Sequence, residues 1–238
     1  MFWRGDRKAK NPMFKMSGWK SVRRHLACGA VAAFLTTGGA AAVAWADAPT
    51  PVALSASDRG EIQKVEQYLN QVHTLKARFL QTSESGHQAT GTLYLSRPGR
   101  MRLEYDPPIK DYIVADGLFV FMWDGEMEQS SSTPIGNSLA EFILRDHLKL
   151  AGDIAVTGLR RDPGVIEVSL IERDDAGKGE LTLVFETAPL RLRKWRVVDA
   201  QGATTQVALL NVENEISLDD KLFYFVAPKK STPTGKLK

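Results

Sequence analysis

Short segments in which apolar and polar residues alternate make up most of this chain, and they constrain its fold more than any other feature. Alternation with a period of two places every second side chain on one face of a β-strand. Turn residues separate the segments, among them Pro98-Gly99 and Asp116-Gly117, and short turns join antiparallel neighbours. Since no βαβ rhythm occurs, we predict one antiparallel sheet, wrapped or barrel-like. The predicted strands span residues 75–81, 88–97, 100–105, 110–115, 118–124, 153–161, 164–173, 180–187, 190–199, 203–212 and 222–226.

Two other segments have the period of a helix. Residues 58–73 place their apolar side chains on one side, with Ser57 or Asp58 as the expected N-cap. A polar loop at 129–137 interrupts the strands and leads into a second predicted helix at 139–148. This apolar helix either covers a sheet face or a cavity mouth, or is an ordinary packed connection. Its candidate lid residues are Leu139, Phe142 and Ile143.

Large apolar side chains recur on single faces of the predicted strands. Such residues more often form a core than a ligand site. A wrapped sheet with only two helices, however, has a concave apolar surface that side chains, a helix or a ligand must fill. Strand parity gives a set of candidates for lining a cavity at this surface: Phe79, Leu93, Leu95, Met101, Leu103, Tyr105, Phe119, Phe121, Trp123, Leu183 and Phe185.

An arginine interrupts one of these apolar rows. Leu93 and Leu95 share a strand face, and Arg97 is the next residue on it. A guanidinium group is permanently charged and carries five donors. Arg97 is therefore either a residue at a strand end that extends to water or a polar latch beside an apolar cavity.

The first 46 residues have the pattern of a secretory signal that is cleaved. A basic region precedes a charge-free stretch at 26–43, and the small-residue pattern Ala44-Trp45-Ala46 follows. Translation starting at Met16 would give a signal of more usual length. A retained membrane anchor is the alternative, because this stretch is just long enough to span a bilayer. We therefore predict that the signal is cleaved and that the protein is secreted.

The charge and the single cysteine limit the classes of partner and site. Residues 1–46 hold eight of the 31 Lys and Arg residues and one of the 28 Asp and Glu residues, so the net charge of residues 47–238 is −4. A mildly acidic protein has no general attraction to nucleic acid. Cys28 lies within the signal, so the exported chain is predicted to have neither a disulfide nor a lipid-modified cysteine.

No catalytic pattern is evident. His73, His87 and His147 are scattered and lack metal-binding spacing, and the chain contains neither a G-x-S-x-G motif nor a phosphate-binding loop. The sequence does not exclude a pair of acidic residues brought together by folding. We nevertheless expect no enzymatic activity, bound metal or cofactor.

A transmembrane barrel is a further class to weigh, since alternating strands and a signal also fit it. Most predicted strands are shorter than the ~9–11 residues needed to cross a bilayer. Charged residues such as Arg100, Arg102 and Arg191 would also have to face lipid. A transmembrane barrel is therefore not expected.

Several short motifs occur in a distinctive order. They are Phe79-x-Gln81; Gly91-x-Leu93-x-Leu95-x-Arg97-Pro98-Gly99; Leu103-x-Tyr105-x-Pro107-Pro108; Ile113 to Gly117; and Leu218-x-x-x-Leu222-Phe223-x-Phe225-x-x-Pro228. In this order, over most of residues 57–228, they resemble the LolA family of periplasmic carriers of outer-membrane lipoproteins.

The resemblance implies a mainly β (α+β) fold: an unclosed antiparallel β-barrel of about eleven strands, with helices as a lid over an apolar cavity. One carrier domain would occupy residues 47–228, after the signal at 1–46 and before a short polar tail at 229–238. It also implies that Arg97 holds the lid by donating to lid backbone carbonyls. The lid role falls on 129–148, and Met101 stands where the family often has an aromatic residue.

The resemblance further implies a location, the periplasm of a Gram-negative bacterium, and a set of partners. These are outer-membrane lipoproteins, bound through their acyl chains, an inner-membrane ABC complex that releases them, and the outer-membrane acceptor LolB, with the carrier itself a monomer. A periplasmic carrier of another lipid and a non-catalytic envelope scaffold are the alternatives.

Overall fold

A computed structural model describes residues 49–229. The predicted signal and residues 230–238 of the predicted tail lie outside this range. Across 49–229, no helix has the length and hydrophobicity that would let it cross a membrane.

Eleven strands form one antiparallel sheet, and its order is β6-β5-β4-β3-β2-β1-β11-β10-β9-β8-β7. All sequence neighbours except β6 and β7 pair with each other, and β1 also pairs with β11 in the middle of the sheet. The two edges, β6 and β7, remain unpaired with each other, so the predicted unclosed eleven-stranded fold is confirmed. The strands are β1 Thr74–Ser83, β2 Gln88–Ser96, β3 Arg100–Tyr105, β4 Tyr112–Asp116, β5 Phe119–Asp124, β6 Gln129–Pro134, β7 Ile154–Asp162, β8 Val165–Glu172, β9 Gly179–Thr187, β10 Leu190–Asp199 and β11 Thr204–Asn214.

The first helix, α1, spans Ala56–Gln71 and packs its apolar side on the concave face of the sheet. Its N-cap is Ser55, not Ser57 or Asp58 as predicted. The Ser55 hydroxyl accepts from the Asp58 backbone N–H, and the Asp58 carboxylate accepts from the Ser55 N–H. This reciprocal capping box satisfies backbone donors that have no partner within the helix.

The predicted helix at 139–148 is much shorter in the structure. The helix α2 spans only Glu141–Leu144, after a 3₁₀ turn at Ile135–Asn137. Arg145 leaves the helical conformation with ψ near 144°, which turns the chain so that its later carbonyls point away from the helix axis. Contacts outside the segment therefore overrule the local helical pattern.

Two other predictions about elements are wrong. The serine-rich stretch predicted as a loop at 129–137 begins with the edge strand β6, because pairing with β5 satisfies its backbone despite its polar side chains. The stretch 222–226 is not a strand, since a 3₁₀ helix at Asp220–Phe223 leads into irregular chain there.

The buried core lies on the concave face of the sheet, beneath α1 and the chain that links β6 to β7. Glycine at position 91 makes room there. A Cβ on Gly91 would lie 2.5 Å from the Phe79 ring and 2.1 Å from the Glu104 carbonyl oxygen. The absent side chain thus lets a large aromatic ring approach the neighbouring strand closely.

Candidate functional site

The concave face is a continuous apolar surface that crosses several strands. In one register row, Leu95 faces Met101 and Met101 faces Ala115. A parallel row pairs Leu93 with Leu103. Across β9, Leu181, Leu183 and Phe185 alternate onto the same face. The predicted cavity residues that the structure places on this face are Phe79, Leu93, Leu95, Met101, Leu103, Tyr105, Leu183 and Phe185.

The prediction that Phe119, Phe121 and Trp123 line the same face is wrong. The β5 residue that joins the concave cluster is Val120, which lies opposite Ala115. Phe121 instead stacks on Phe225 with ring centroids 4.8 Å apart. Because both faces of β5 carry apolar side chains, its sequence does not show which face is concave. The three aromatic residues lie on the convex face.

Tyr105 supplies a polar atom inside the concave cluster. Its ring packs edge-on against Phe79, with centroids 5.3 Å apart. Its hydroxyl donates to the side-chain oxygen of buried Gln81 at 2.8 Å. Burial raises the pKa of Tyr105 to about 12, so the group stays a neutral donor. Phe79 and Gln81, which belong to one sequence motif, thus contact the same tyrosine.

The chain from residue 138 to residue 150, here called the lid segment, covers the concave face. Phe142 is 2% exposed and belongs to the same apolar cluster as the strand residues, and Ile143 packs at its margin. The lid segment's buried apolar side chains are Leu139, Phe142, Leu144, Leu148 and Leu150. Side chains of the protein itself therefore fill this part of the concave surface.

Arg97 joins α1 to the lid segment. Its Nε donates to the Arg145 carbonyl oxygen at 2.7 Å, and Nη2 donates to the same oxygen. Its Nη1 donates to the carbonyl of Leu69, at the end of α1. Longer contacts reach the carbonyls of Val72 at 3.4 Å and Asp146 at 3.3 Å. The guanidinium is thus committed to main-chain oxygens of two separate segments.

The electrostatics of Arg97 match this arrangement. Burial lowers the pKa of Arg97, and the nearby Asp146 carboxylate opposes that shift. An arginine nonetheless remains charged at any physiological pH. Among residues 49–229 it forms no salt bridge, so neutral carbonyls alone receive its hydrogen bonds. A charged donor makes such bonds stronger than those between neutral groups.

Three further groups secure the lid segment, and the sequence reasoning missed them. The Asn70 side chain donates to the Leu148 carbonyl at 3.0 Å and accepts from the Leu148 N–H at 2.8 Å. The Glu66 carboxylate accepts from the Leu150 N–H at 2.6 Å. The Gly99 N–H donates to the Leu144 carbonyl at 2.8 Å. The only sequence signal was a pair of polar residues, four positions apart, beside the apolar side of α1.

Arg145 also stabilises the lid segment through its side chain. It forms a salt bridge with Glu141, one helical turn earlier, at 2.8 Å, and another with Asp153 at 2.5 Å. The second bridge ties α2 to the chain just before β7. Both carboxylates raise the pKa of Arg145 against the opposing effect of burial.

The site as a whole is an apolar surface. Within residues 49–229, no group of three or more His, Cys, Asp or Glu side chains is placed to hold a metal ion. Arg97, Asn70 and Glu66 bond to the backbone of the lid segment, whereas Tyr105 and Gln81 bond to each other.

Comparison with known families identifies this architecture. A family model described as "Outer membrane lipoprotein carrier protein LolA" matches residues 70–226. The chain belongs to the LolA family. The resemblance predicted from the motifs is therefore confirmed, and the matched range covers Arg97, the lid segment and all eleven strands.

Curated relatives of the LolA family cover most of the same range. A protein of Methylococcus capsulatus is 26% identical over 173 residues, which are 69% of this chain and 83% of that protein. One of Dechloromonas aromatica is 27% identical, over 74% of this chain and 88% of its own. Both are named "Outer-membrane lipoprotein carrier protein". Among solved structures, a LolA superfamily protein of Nitrosomonas europaea has a TM-score of 0.41 at 9% identity, covering 69% of this chain and 97% of that one.

Proposed function

We propose that this protein is a periplasmic carrier that shelters the acyl chains of outer-membrane lipoproteins against its concave face. It would receive them from an inner-membrane ABC release complex and pass them to an outer-membrane acceptor of the LolB type. The names of the relatives support the class of cargo. The observation that carries the proposal is a continuous apolar sheet face covered by a segment that polar main-chain contacts fasten.

The lid segment and an acyl chain gain similar free energies when they are buried against the concave face, so they can compete for it. An acyl chain of about 14 methylenes gains about 11 kcal/mol on burial, at ~0.8 kcal/mol each. The five buried apolar side chains of the lid segment gain roughly 2 kcal/mol each, or about 10 kcal/mol together. Closing the lid segment therefore nearly offsets the loss of one acyl chain.

Arg97 decides the balance between these two occupants of the face. Each hydrogen bond from a charged donor contributes about 1.5–3 kcal/mol, and the bonds from Arg97 to the Arg145 and Asp146 carbonyls require the lid segment to be in place. The bonds add to the closed form and are lost when a ligand displaces the lid segment. Arg97 thus works as a latch that favours release of the cargo. Without such stabilisation of the closed form, the acyl chain would bind too tightly to be transferred.

Replacing the latch tests the proposal. Arg97→Leu removes every donor to the lid segment from that side chain, so we expect it to fold, to accept lipoprotein and to transfer it at least about tenfold more slowly, a change of ~1.4 kcal/mol. Transfer of a fluorescent lipopeptide from the protein to acceptor-bearing vesicles measures the rate.

Arg196→Leu is the matched control, since that arginine lies on the convex side of the sheet and donates to the Thr182 hydroxyl. Equal transfer rates in the Arg97 variant, the control and the unaltered protein would contradict the latch. Failure of the unaltered protein to bind any lipopeptide would contradict the carrier function itself. Binding of free lipids without lipopeptide would point to a carrier of another lipid.

A further inference from the structure

The two edges of the open sheet differ in how they are protected. At β7, the Val52 N–H donates to the Val156 carbonyl at 2.9 Å, and the register shifts between Val156 and Gly158. Charged Arg160 and Arg161 follow on the same strand. A paired segment, a bulge and charges are the usual devices that prevent an edge from accepting another strand.

The β6 edge carries none of these devices over most of its length. Its sequence from Gln129 to Ser132 is uncharged and regular in register, and Pro134 comes only at its end. Its side chains are exposed apart from half-buried Thr133. Of the residues that the structure describes, none pairs with the outer side of β6. An open edge of this kind is a template for one more strand.

The register identifies the free groups. The Ile135 N–H donates to the Leu118 carbonyl at 3.0 Å, which continues the pairing of β5 with β6. In an antiparallel pair, residues that bond to the neighbouring strand alternate with residues that face away from it. Thr133 and Ser131 therefore bond to β5, whereas the N–H and C=O groups of Ser132 and Ser130 point outward.

This edge is continuous along the chain with the lid segment, whose departure would open the concave face to acyl chains. β6 runs directly into the 3₁₀ turn at Ile135–Asn137 and then into the lid segment. A lipoprotein carries its acyl chains on its first residue, so its polypeptide must leave the concave face at that opening. Main-chain hydrogen bonds recognise an extended peptide whatever its side chains are, which suits a carrier of several different cargoes.

We propose that the outer edge of β6 binds the extended polypeptide that directly follows the acylated residue of the cargo, by adding it as a twelfth strand. This inference rests on the proposed carrier function. The recognition uses the backbone of Ser130 and Ser132 and therefore requires extended peptide, not a particular sequence. Acyl chains and peptide then contribute separately to the affinity.

Amide hydrogen exchange with two lipopeptides tests the proposal. One probe has an acylated N-terminal cysteine followed by a peptide long enough to lie along β6, and the other is the acylated cysteine alone. We expect only the long probe to slow exchange at Ser130 and Ser132, and to bind more tightly than the short one. Ser131 and Thr133, already bonded to β5, serve as internal controls.

A proline substitution separates backbone from side-chain effects. Ser132→Pro removes one outward N–H, and proline is tolerated where that group faces solvent on an edge strand. We expect about three- to tenfold weaker binding of the long probe, as for the loss of one hydrogen bond, and unchanged binding of the short one. Ser132→Ala retains the N–H and should bind both probes normally. Slow exchange at Ser131 in the proline variant verifies that β6 is still paired.

The alternative outcomes are distinct. Equal binding of both probes, with no protection at Ser130 and Ser132, would overturn the edge proposal and leave the carrier function intact. Binding of neither probe would overturn both. Protection that appears without lipopeptide and increases with protein concentration would mean that a second copy of the chain, not the cargo, occupies the edge.

Discussion

The sheet is covered on both faces, and the two coverings are fastened in different ways. On the concave face, the lid segment lies on hydrocarbon and is secured by hydrogen bonds between its backbone and Arg97, Asn70, Glu66 and Gly99. On the convex face, the C-terminal chain at 219–226 is anchored by its own aromatic side chains.

The convex covering is tied to fixed side chains of the sheet. Phe223 is 1% exposed, and the Arg100 guanidinium lies over its ring. Arg100 also forms a salt bridge with Asp220 at 2.6 Å, and the Tyr112 hydroxyl donates to the Val226 carbonyl at 2.7 Å. These contacts combine a cation–π interaction, a salt bridge and a hydrogen bond. An acyl chain could not replace them, because it has neither charge nor polar groups.

The difference indicates which covering can be exchanged. Hydrocarbon under the lid segment can be replaced by other hydrocarbon at little net cost, and its polar fastenings sit at the margin. The convex aromatic contacts have no such substitute. We therefore expect changes on the convex face to affect the free energy of unfolding, and changes on the concave face to affect lipid binding.

The largest expected effect comes from Phe223→Ala. Removing a fully buried aromatic ring should lower the free energy of unfolding by about 3–5 kcal/mol, while the affinity for lipopeptide stays unchanged. Urea unfolding and lipopeptide titration measure the two quantities. A clear change in lipopeptide affinity would show that the two faces are not independent.

Phe142→Ala makes the corresponding change in the lid segment. Loss of this ring weakens the closed form, so lipopeptide affinity should rise by about tenfold, equivalent to ~1.4 kcal/mol. The free energy of unfolding should fall less than in Phe223→Ala, because the lid segment can detach without unfolding the sheet. Weaker lipopeptide binding would mean that Phe142 contacts the ligand and does not compete with it.

Asn70 offers a smaller and more local test. Asn70→Ala removes both hydrogen bonds to Leu148 and should speed amide exchange at Leu148 and Leu150 about tenfold, leaving exchange in the strands unchanged. Asn70→Asp can still accept from the Leu148 N–H and should have an intermediate effect. If amide exchange in both variants became faster across the whole sheet, the substitutions would have destabilised the fold in general, which would contradict a local role for Asn70.

The smallest effect concerns the far end of α1. A hydrogen bond from Arg161 and the capping contacts with Ser55 lower the pKa of Asp58 to about 2, from an ordinary value of 3.8. The carboxylate therefore stabilises the folded state fully above pH 3.8, and this contribution is lost as the pH falls through about 2.

The protection of the first-turn amides of α1 against exchange, relative to an unfolded chain at the same pH, should fall as the pH is lowered across that window. Asp58→Asn should abolish this change in protection. Exchange at Leu148, near the other end of the helix, should not follow the same titration. If it did, the two ends of α1 would not be fastened independently.

The sequence predicted the order of the strands better than their faces. Alternation and turns located the hairpins, because each hairpin is specified locally. The assignment of faces failed for β5, where Val120 and Met122 face one way and Phe121 and Trp123 the other. Because both faces are apolar, the pattern does not show which one belongs to the core. The convex covering that buries those aromatics comes from a segment about a hundred residues later.

The sequence predicted only part of the candidate site, for a similar reason. Arg97 stood out because a charge interrupts an apolar row, whereas Asn70 and Glu66 look like ordinary polar residues at the side of a helix. Their partners are backbone groups of Leu148 and Leu150, and no side-chain pattern records a backbone partner. The short α2 was missed because tertiary hydrogen bonds to Arg145 and Asp146 carbonyls end it.

The central claim is that the lid segment leaves the concave face when lipid binds. Residues 49–229 contain no cysteine, so spin labels can be attached at engineered cysteines at exposed His147, in the lid segment, and exposed Leu210, on β11. Pulsed electron resonance would measure the distance between them. We predict one narrow distance distribution in the free protein and a second, longer one after lipopeptide is added, with Arg97→Leu reaching the longer distance at lower lipopeptide concentrations. An identical distribution with and without bound lipopeptide would contradict the account.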